Sequence, residues 1–248
     1  MSETPRNNTV APVRLEFYKL FARVLPMYLT LLPAALAAHV WIGSNSIMAG
    51  AITLLGGPLC LAFLLAEFGR DAGYRKQERL WELWGGSPTT QLLRHRNGAA
   101  NPVVRTRVHK KLHKLMPDIT LPTHEEEAAD PKAADQVYEA CVQHLIGRTR
   151  DRARFRLLYK ENVSYGFRRN LWALKPLGLV LCGFSFVSSI AFLLKEWPTP
   201  APDAAVAAAM SVALTGMWLV RIRVSWIRIP ADAYATRLLE ACDELTRA

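Results

Sequence analysis

The sequence predicts an all-α integral membrane protein with four transmembrane helices, which form two hairpins on either side of an inserted cytoplasmic helical domain. The chain of 248 residues is 51% hydrophobic and carries 31 basic and 21 acidic residues. These two kinds of residue are segregated, because no Asp, Glu, Lys or Arg occurs at 24–66, 176–194 or 204–220. A helix that crosses a hydrocarbon core about 30 Å thick needs roughly 17–25 mostly apolar residues. The three uncharged stretches are therefore predicted to cross a membrane.

The first hairpin is predicted at 24–66, after a cytoplasmic amphipathic N-terminus at 1–23. Its uncharged stretch of 43 residues is about twice as long as one membrane-spanning helix requires. The sequence Gly-Ser-Asn-Ser at 43–46 is typical of a turn. We therefore expect one helix at 24–43 and a second at 47–66.

The second hairpin is predicted at 174–220. Its two helices, at 174–194 and 203–220, are joined by a loop at 195–202 that contains three prolines, which helix interiors disfavour. The remaining residues, 221–248, are predicted to form a cytoplasmic C-terminal helix. Apolar residues recur there at helical spacing: Tyr234, Leu238, Cys242 and Leu245.

The basic residues favour one orientation in the membrane. Four of them precede Val24 and 20 lie in 67–173, whereas Lys195 is the only one in the two short loops. By the positive-inside rule, both termini and the segment 67–173 are cytoplasmic. Tryptophans are typical of membrane borders, which places Trp41 and Trp197 at the outer border and three others at the inner border: Trp172, Trp218 and Trp226.

The segment 67–173 is predicted to be a helical domain. The second span continues as a helix until Gly85-Gly86, and a loop is expected from Met116 to Asp130. A final helix from Arg152 leads into the third span. A capping residue followed by proline is typical of helix starts, and three such pairs predict further helices: Ser87-Pro88 to Arg96, Asn101-Pro102 to Leu115, and Asp130-Pro131 to Gly147.

The most specific local pattern is a candidate anion site after Gly85-Gly86. A helix start exposes N–H groups and a partial positive charge, and the hydroxyls of Ser87, Thr89 and Thr90 add donors. Arginines that can neutralise a phosphate or carboxylate complete the candidate site: Arg94 and Arg96, with Arg168 and Arg169 on a second element. Helix capping alone is an alternative explanation of Gly-Gly-Ser-Pro. The Gly-Lys-Ser/Thr ending of a nucleotide-binding P-loop is absent, and no cofactor is predicted.

A second basic cluster combines arginines with aromatic residues between Arg148 and Arg169. Next to a membrane span, such a cluster favours contacts with anionic lipid headgroups or between subunits. A soluble anionic ligand is an alternative, and nucleic acid is the least favoured partner.

His109 and His113 lie one helical turn apart, a spacing that suits two metal ligands. Lys110 and Lys111 between them oppose a cation, and the glutamate of a zinc-protease motif is absent. We therefore predict a solvated basic helix face here, with no metal site. No sequence motif identifies catalytic residues.

Small residues follow helical spacing in both helices of the second hairpin. Such stripes let helix backbones approach closely in lipid. They predict either packing between the hairpins of one subunit or association into a homo-oligomer. The stripes consist of Gly178, Cys182, Ser185 and Ser189 in the first helix, and of Ala205, Ala209, Ala213 and Gly216 in the second.

Two runs resemble a group of uncharacterised bacterial membrane proteins of similar length: Trp84-Gly-Gly-Ser-Pro-Thr-Thr-Gln-Leu-Leu-Arg-His-Arg96 and Glu161-Asn-Val-Ser-Tyr-Gly-Phe-Arg-Arg-Asn-Leu-Trp172. The resemblance implies a bacterial inner-membrane setting and one site that combines the two runs. It implies no activity, cofactor or partner.

The sequence thus predicts a non-enzymatic protein whose cytoplasmic domain binds an anionic small molecule or partner and couples this binding to the membrane helices. A membrane-anchored enzyme that acts on a phosphorylated or lipid substrate is one alternative, and a structural membrane scaffold is another. An enzyme would need an acid or base beside the arginines at 94 and 96, namely Glu82, His95 or Glu161.

Overall fold

The structure is a computed structural model that describes residues 17–42, 50–98 and 100–247. Within these ranges the chain forms helices and no strand. The elements are two π-helical turns, Leu20–Val24 and Ile52–Gly56, and the helices α1 (Leu25–Ile42), α2 (Gly57–Trp84), α3 (Pro88–Leu93), α4 (Pro102–Leu115), α5 (His124–Ala129), α6 (Pro131–Arg148), α7 (Arg156–Lys195), α8 (Pro202–Val220) and α9 (Val224–Leu245).

Four helices in the described ranges are long and apolar enough to cross a membrane. They are α1 and α2, each with the π-helical turn before it, together with α7 and α8. The predicted all-α class and the four candidate spans are therefore confirmed, and the chain is a multi-pass membrane protein. As predicted, α2 and α7 extend beyond the uncharged stretches. The predicted turn at 43–46 lies outside the described residues.

The chain divides into two compact units. The apolar unit comprises residues 1–76 and 166–227 and contains the uncharged stretches, whereas the polar unit comprises residues 77–165 and 228–248. Three helices, α2, α7 and α9, contribute residues to both units.

Each π-helical turn ends two residues before a proline of a membrane helix, Pro26 or Pro58. Proline has no N–H to donate to the carbonyl four residues earlier, which for Pro26 is that of Ala22. Asn170 Nδ2 donates a hydrogen bond to this carbonyl at 2.7 Å. Because lipid offers no donors, the side chain of Asn170 stabilises the helix at this proline.

Small residues allow α7 and α8 to pack closely within the apolar unit. A Cβ at Gly178 would lie 2.5 Å from the indole of Trp218, so only glycine fits here without a shift. Ser211 donates a hydrogen bond to Ser185 at 2.9 Å, and both serines are fully buried. The predicted stripe of α7 therefore packs inside the subunit. In the stripe of α8, by contrast, three members are exposed, because the helix turns other residues inward: Ala205, Ala209 and Ala213.

The polar unit has its own hydrophobic core, to which α3, α4, α6, α7 and α9 contribute. Leu93, Leu112 and Leu145 are completely buried in it. Leu238 and Cys242 of α9 are also completely buried in this core. The C-terminal helix is thus amphipathic and lies on the helical domain, as its apolar spacing predicts.

Two predicted elements differ from the structure. The helix that begins after Ser87 ends at Leu93 rather than at Arg96, because the backbone of Arg94 is extended. The segment from Met116 to Asp130 is not entirely a loop, since it contains α5, which is capped by Thr123 in a capping box. The prediction missed α5 because this helix has only 6 residues and no proline at its start.

Candidate functional site

The Gly85-Gly86 pair ends α2. The N–H of Gly85 donates to the carbonyl of Glu82 at 3.1 Å, and that of Gly86 donates to the carbonyl of Trp81 at 2.7 Å. These are the two bonds of a Schellman motif. Both glycines have a positive φ, 81° and 124°, which other residues adopt only with strain. The glycine pair therefore has a structural role at the end of a helix.

The hydroxyls of the predicted anion site lie together at the start of α3. Ser87 Oγ accepts a hydrogen bond from the N–H of Thr90 at 3.3 Å and lies 2.8 Å from the hydroxyl of the same residue. Thr89 and Thr90 are 5% and 1% exposed. This geometry fits helix capping, the alternative explanation of the Gly-Gly-Ser-Pro sequence.

Arg94 joins this segment to α6. Its Nε and Nη2 donate to the two carboxylate oxygens of Asp135 at 2.7 and 2.9 Å, and its Nη1 donates to the carbonyl of Gly85 at 2.5 Å. The guanidinium lies against Gly86, where a Cβ would be 2.5 Å from Nη2. Asp135 thus neutralises the charge of Arg94, whose side chain is only 13% exposed.

Glu127 is a buried carboxylate, 1% exposed, that accepts four hydrogen bonds. The N–H of His95 and the hydroxyl of Tyr138 each donate to Oε2 at 2.7 Å, while the N–H and Nη1 of Arg96 donate to Oε1 at 3.0 and 2.9 Å. Burial acts to raise the pKa of Glu127, but these bonds to the charged form prevail and lower it to about 2. Arg96 Nη2 also donates to Asp135 at 2.6 Å.

We call Arg94, Arg96, Glu127, Asp135 and Tyr138 the Glu127 network. It contains two guanidinium groups and two carboxylates that pair with them, so its charges balance. An external anion that displaced Glu127 from these arginines would leave a buried carboxylate unpaired. The network connects the segment after α3 to α5 and α6, which indicates a structural role.

The basic face of α4 is not fully solvated, contrary to the prediction for His109. This histidine is half-buried, and its Nε2 donates to the carbonyl of Leu93 at 2.9 Å. Burial lowers the pKa of His109, against the opposing effect of that hydrogen bond. His95, one of the residues that an enzyme could use as a base, donates through its ring to the carbonyl of Pro122 at 3.2 Å.

Arg168 and Arg169 belong to the apolar unit, whereas the other predicted site residues belong to the polar unit. Arg168 Nη1 donates to the carbonyl of Trp226 at 2.8 Å, and its guanidinium lies 4.8 Å from that indole ring. Arg169 is 4% exposed and lies 4.0 Å from the ring of Tyr74. Both arginines therefore help to pack the apolar unit, and their union with Arg94 in one site stays a prediction.

The polar unit contains a cleft of about 640 Å³ lined by the end of α3, the segment before α4, and residues of α4 and α9. Leu92, Val104, Val108 and Leu239 give it apolar walls. Its volume lies within the range of pockets that hold small molecules, and such pockets combine apolar walls with a few polar groups that orient the ligand.

Arg105 supplies an unneutralised charge at this cleft. Its Nη1 donates to the carbonyl of Arg94 at 3.2 Å, but its Nε is buried and has no hydrogen-bond partner in the described structure. Arg107, also at the cleft, pairs with Asp243 at 2.7 Å. No carboxylate of the described residues forms an ion pair with Arg105, although Asp243 and Glu240 also line the cleft.

The sequence prediction overlooked Arg105. The signal for it was present in α4, whose sequence PVVRTRVHKKLHKL has five lysines and arginines and no acidic residue. This composition marks the helix as basic, but it does not distinguish Arg105 from the other four residues, since exposed basic side chains are solvated by water.

Comparison with known proteins gives no match, since neither a protein-family model, nor a curated protein, nor a solved structure is similar to the chain. The contacts described above are therefore the basis for a functional conclusion.

Proposed function

We propose that this protein is a non-enzymatic, multi-pass protein of a bacterial inner membrane, whose cytoplasmic helical domain binds an anionic ligand beside Arg105 and couples this binding to the membrane helices. The observation that supports the proposal is a guanidinium with no carboxylate partner among the described residues, at a cleft whose two carboxylates, Asp243 and Glu240, pair with other arginines. The proposed site is thus moved away from Arg94 and Arg96, whose charges are neutralised in the Glu127 network.

The chemistry of the cleft favours an amphipathic anion. Because Arg105 uses Nη1 for the carbonyl of Arg94 and its Nε is buried, Nη2 remains to donate to a carboxylate or phosphate. The apolar walls from Val104, Val108 and Leu239 favour a hydrocarbon group on the same ligand.

The charges of the apolar unit support the orientation. In its described part, one end of the spans has only Lys195, Glu196 and Asp203, whereas basic residues dominate the other end: Lys19, Arg23, Arg70, Arg75, Lys76, Arg168, Arg169, Lys175, Arg221 and Arg223. By the positive-inside rule, we place the basic end, the polar unit and both termini in the cytoplasm. The spans then form two hairpins that flank the inserted domain, and anionic lipid headgroups are expected partners of the basic end.

The proposed coupling is supported by continuous helices. The helices α2 and α7 each contribute residues to both compact units without interruption. We expect binding in the polar unit to change the affinity of sites in the apolar unit through these helices.

Binding of radiolabelled octanoate to the full-length protein in phosphatidylcholine nanodiscs tests the ligand site. Arg105→Gln should weaken octanoate binding about tenfold or more, since a hydrogen bond to a charged group contributes roughly 1.5–3 kcal/mol. Arg150→Gln, at an exposed arginine of the same unit, is the matched control and should leave binding unchanged. Absence of octanoate binding, or binding that is undiminished in Arg105→Gln, would contradict the proposed site.

Labelling with an impermeant maleimide tests the orientation. We expect Thr199→Cys to react in intact spheroplasts and Lys110→Cys to react only after permeabilisation, each in a Cys60→Ser background, since both introduced cysteines would be exposed. The reverse pattern would overturn the proposed orientation.

A further inference from the structure

Glu67 forms ion pairs with two arginines at the end of an uncharged stretch. Arg23 Nη1 lies 2.8 Å from Oε1 of this glutamate, and Arg70 Nη1 lies 2.9 Å from Oε2. Glu67 directly follows the uncharged residues 24–66, and Arg23 directly precedes them. Two positive charges therefore share one negative charge at the border of the hydrocarbon region, which leaves this cluster with an excess charge of +1.

Both guanidinium groups have N–H donors that the ion pairs with Glu67 do not use. A guanidinium carries five N–H groups, yet Arg23 and Arg70 each use one nitrogen for Glu67. The Nε atoms of both arginines are buried and have no hydrogen-bond partner in the part of the chain that the structure describes. A buried donor without a hydrogen-bond partner costs free energy.

Aromatic rings hold the two arginines in place. The guanidinium of Arg23 lies 5.8 Å from the ring of Tyr18, and that of Arg70 lies 5.4 Å from the ring of Tyr74. Arg169 also lies close to the ring of Tyr74, at 4.0 Å. Cation–π contacts restrict the guanidinium planes, so less conformational entropy is lost when an anion binds.

Exposed apolar side chains lie near the charged cluster in the sequence. Phe17 and Phe21 precede Arg23 and are 51% and 39% exposed, while Leu64 and Phe68 of α2 are 76% and 66% exposed. These side chains offer hydrocarbon surface beside the unsatisfied donors, a combination that suits a molecule with a charged head and acyl chains.

We infer that Arg23 and Arg70 bind the phosphate of an anionic phospholipid, which competes with Glu67 for the two guanidinium groups. A phosphodiester with a single negative charge would balance the excess positive charge. Its two unesterified oxygens can accept hydrogen bonds from both arginines, as the two oxygens of Glu67 do. The inference rests on the membrane setting and not on the cleft beside Arg105.

Titration of detergent-purified, full-length protein with dioctanoyl phosphatidylglycerol tests this inference. Dioctanoyl phosphatidylcholine and inorganic phosphate are the comparison ligands, and binding is followed by native mass spectrometry and thermal unfolding. We expect phosphatidylglycerol to bind about tenfold or more tightly than either comparison ligand. Equal binding of inorganic phosphate would identify a site for free phosphate, and equal binding of phosphatidylcholine would remove the preference for an anionic lipid; either result overturns the inference.

Three variants connect the binding to the cluster. Arg70→Gln should weaken phosphatidylglycerol binding about tenfold, whereas Arg75→Gln, at an exposed arginine of the same helix, should not. Glu67→Gln should strengthen binding, because it removes the carboxylate that competes with the phosphate for both arginines. A purely structural role of Glu67 predicts no such gain.

Lipid binding to Glu67→Gln tests the inference even if Arg70→Gln does not fold. Unchanged or weaker lipid binding in Glu67→Gln, or an equal loss in Arg75→Gln, would overturn the inference. Without octanoate present, Arg105→Gln should bind phosphatidylglycerol as the unsubstituted protein does. A negative result for octanoate binding at the cleft therefore does not contradict the lipid site.

Discussion

Replacement of Glu127 by glutamine tests whether this buried carboxylate stabilises the polar unit against unfolding. The pKa of this group falls from 4.5 to about 2 in the folded protein. Since a tenfold change in an equilibrium constant corresponds to about 1.4 kcal/mol, the ionised form contributes about 3 kcal/mol to folding. Glutamine retains the shape, but its NH₂ group would face donors from His95 and Tyr138 or from Arg96. We expect Glu127→Gln to lower the free energy of unfolding at pH 7 by about 3 kcal/mol.

The pH dependence gives this prediction a definite sign. A carboxyl whose folded-state pKa is lowered stabilises the protein fully above its unfolded-state pKa, here near 4.5, and loses that contribution as pH falls towards 2. The difference in stability between the natural protein and Glu127→Gln should therefore shrink over this interval. Denaturant titrations followed by circular dichroism in detergent, at pH 7 and at several values below 4.5, measure it.

Glu125→Gln is the matched control, because Glu125 is an exposed neighbour on α5 and should have little effect at pH 7. The reasoning is refuted if Glu127→Gln is as stable as the natural protein at pH 7. It is also refuted if the difference between the two proteins stays constant as the pH falls below 4.5.

Two further predictions concern packing and thiol reactivity. Gly178→Ala should lower the unfolding temperature, with a cost of about 1–3 kcal/mol for overpacking, because the added methyl group would lie 2.5 Å from Trp218. Gly183→Ala should leave the unfolding temperature unchanged, because nothing lies within 4 Å of the added methyl group. Equal shifts of the two variants in a thermal unfolding assay would contradict this prediction. Cys141 and Cys242 should resist a thiol reagent at pH 8 in the folded protein, because burial raises the pKa of each thiol to about 11. Mass spectrometry measures the modification, and rates equal to those in denaturant would show that these thiols are accessible.

Helix starts were predictable from the sequence because their signals are local. The helices α4 and α6 begin at Pro102 and Pro131, as predicted. The side chains of Asn101 and Asp130 accept hydrogen bonds from the N–H groups of the first turn. A capping side chain and a proline without an N–H act within three residues, so no knowledge of tertiary contacts is needed.

The environment of Trp218 was not predictable in the same way. Its position near the end of an uncharged stretch placed it at the inner membrane border, where tryptophans are common. In the structure its side chain is completely buried against Gly178. The sequence indicates how far along a span a residue lies. Which face of the span packs against another helix depends on the tertiary structure.

The internal partners of the candidate site were not predictable for a related reason. Arg94 and Arg96 follow a Ser-Pro helix start and resemble free anion-binding groups when read locally. Their carboxylate partners lie far away in sequence, Asp135 at a separation of 41 residues from Arg94 and Glu127 at 31 from Arg96. Arg105, in contrast, is one of many basic residues in the sequence, and only the folded unit shows that it has no such partner among the described residues.

The two proposed sites lie in different compact units, which makes their coupling measurable. Arg105→Gln and Arg70→Gln should each weaken direct binding at one site. In the natural protein, the factor by which octanoate changes the affinity for phosphatidylglycerol must equal the factor by which phosphatidylglycerol changes the affinity for octanoate. If α2 and α7 transmit binding between the units, this shared factor differs from one. A factor of one, with both ligands bound, would show that the continuous helices connect the two units without coupling their sites.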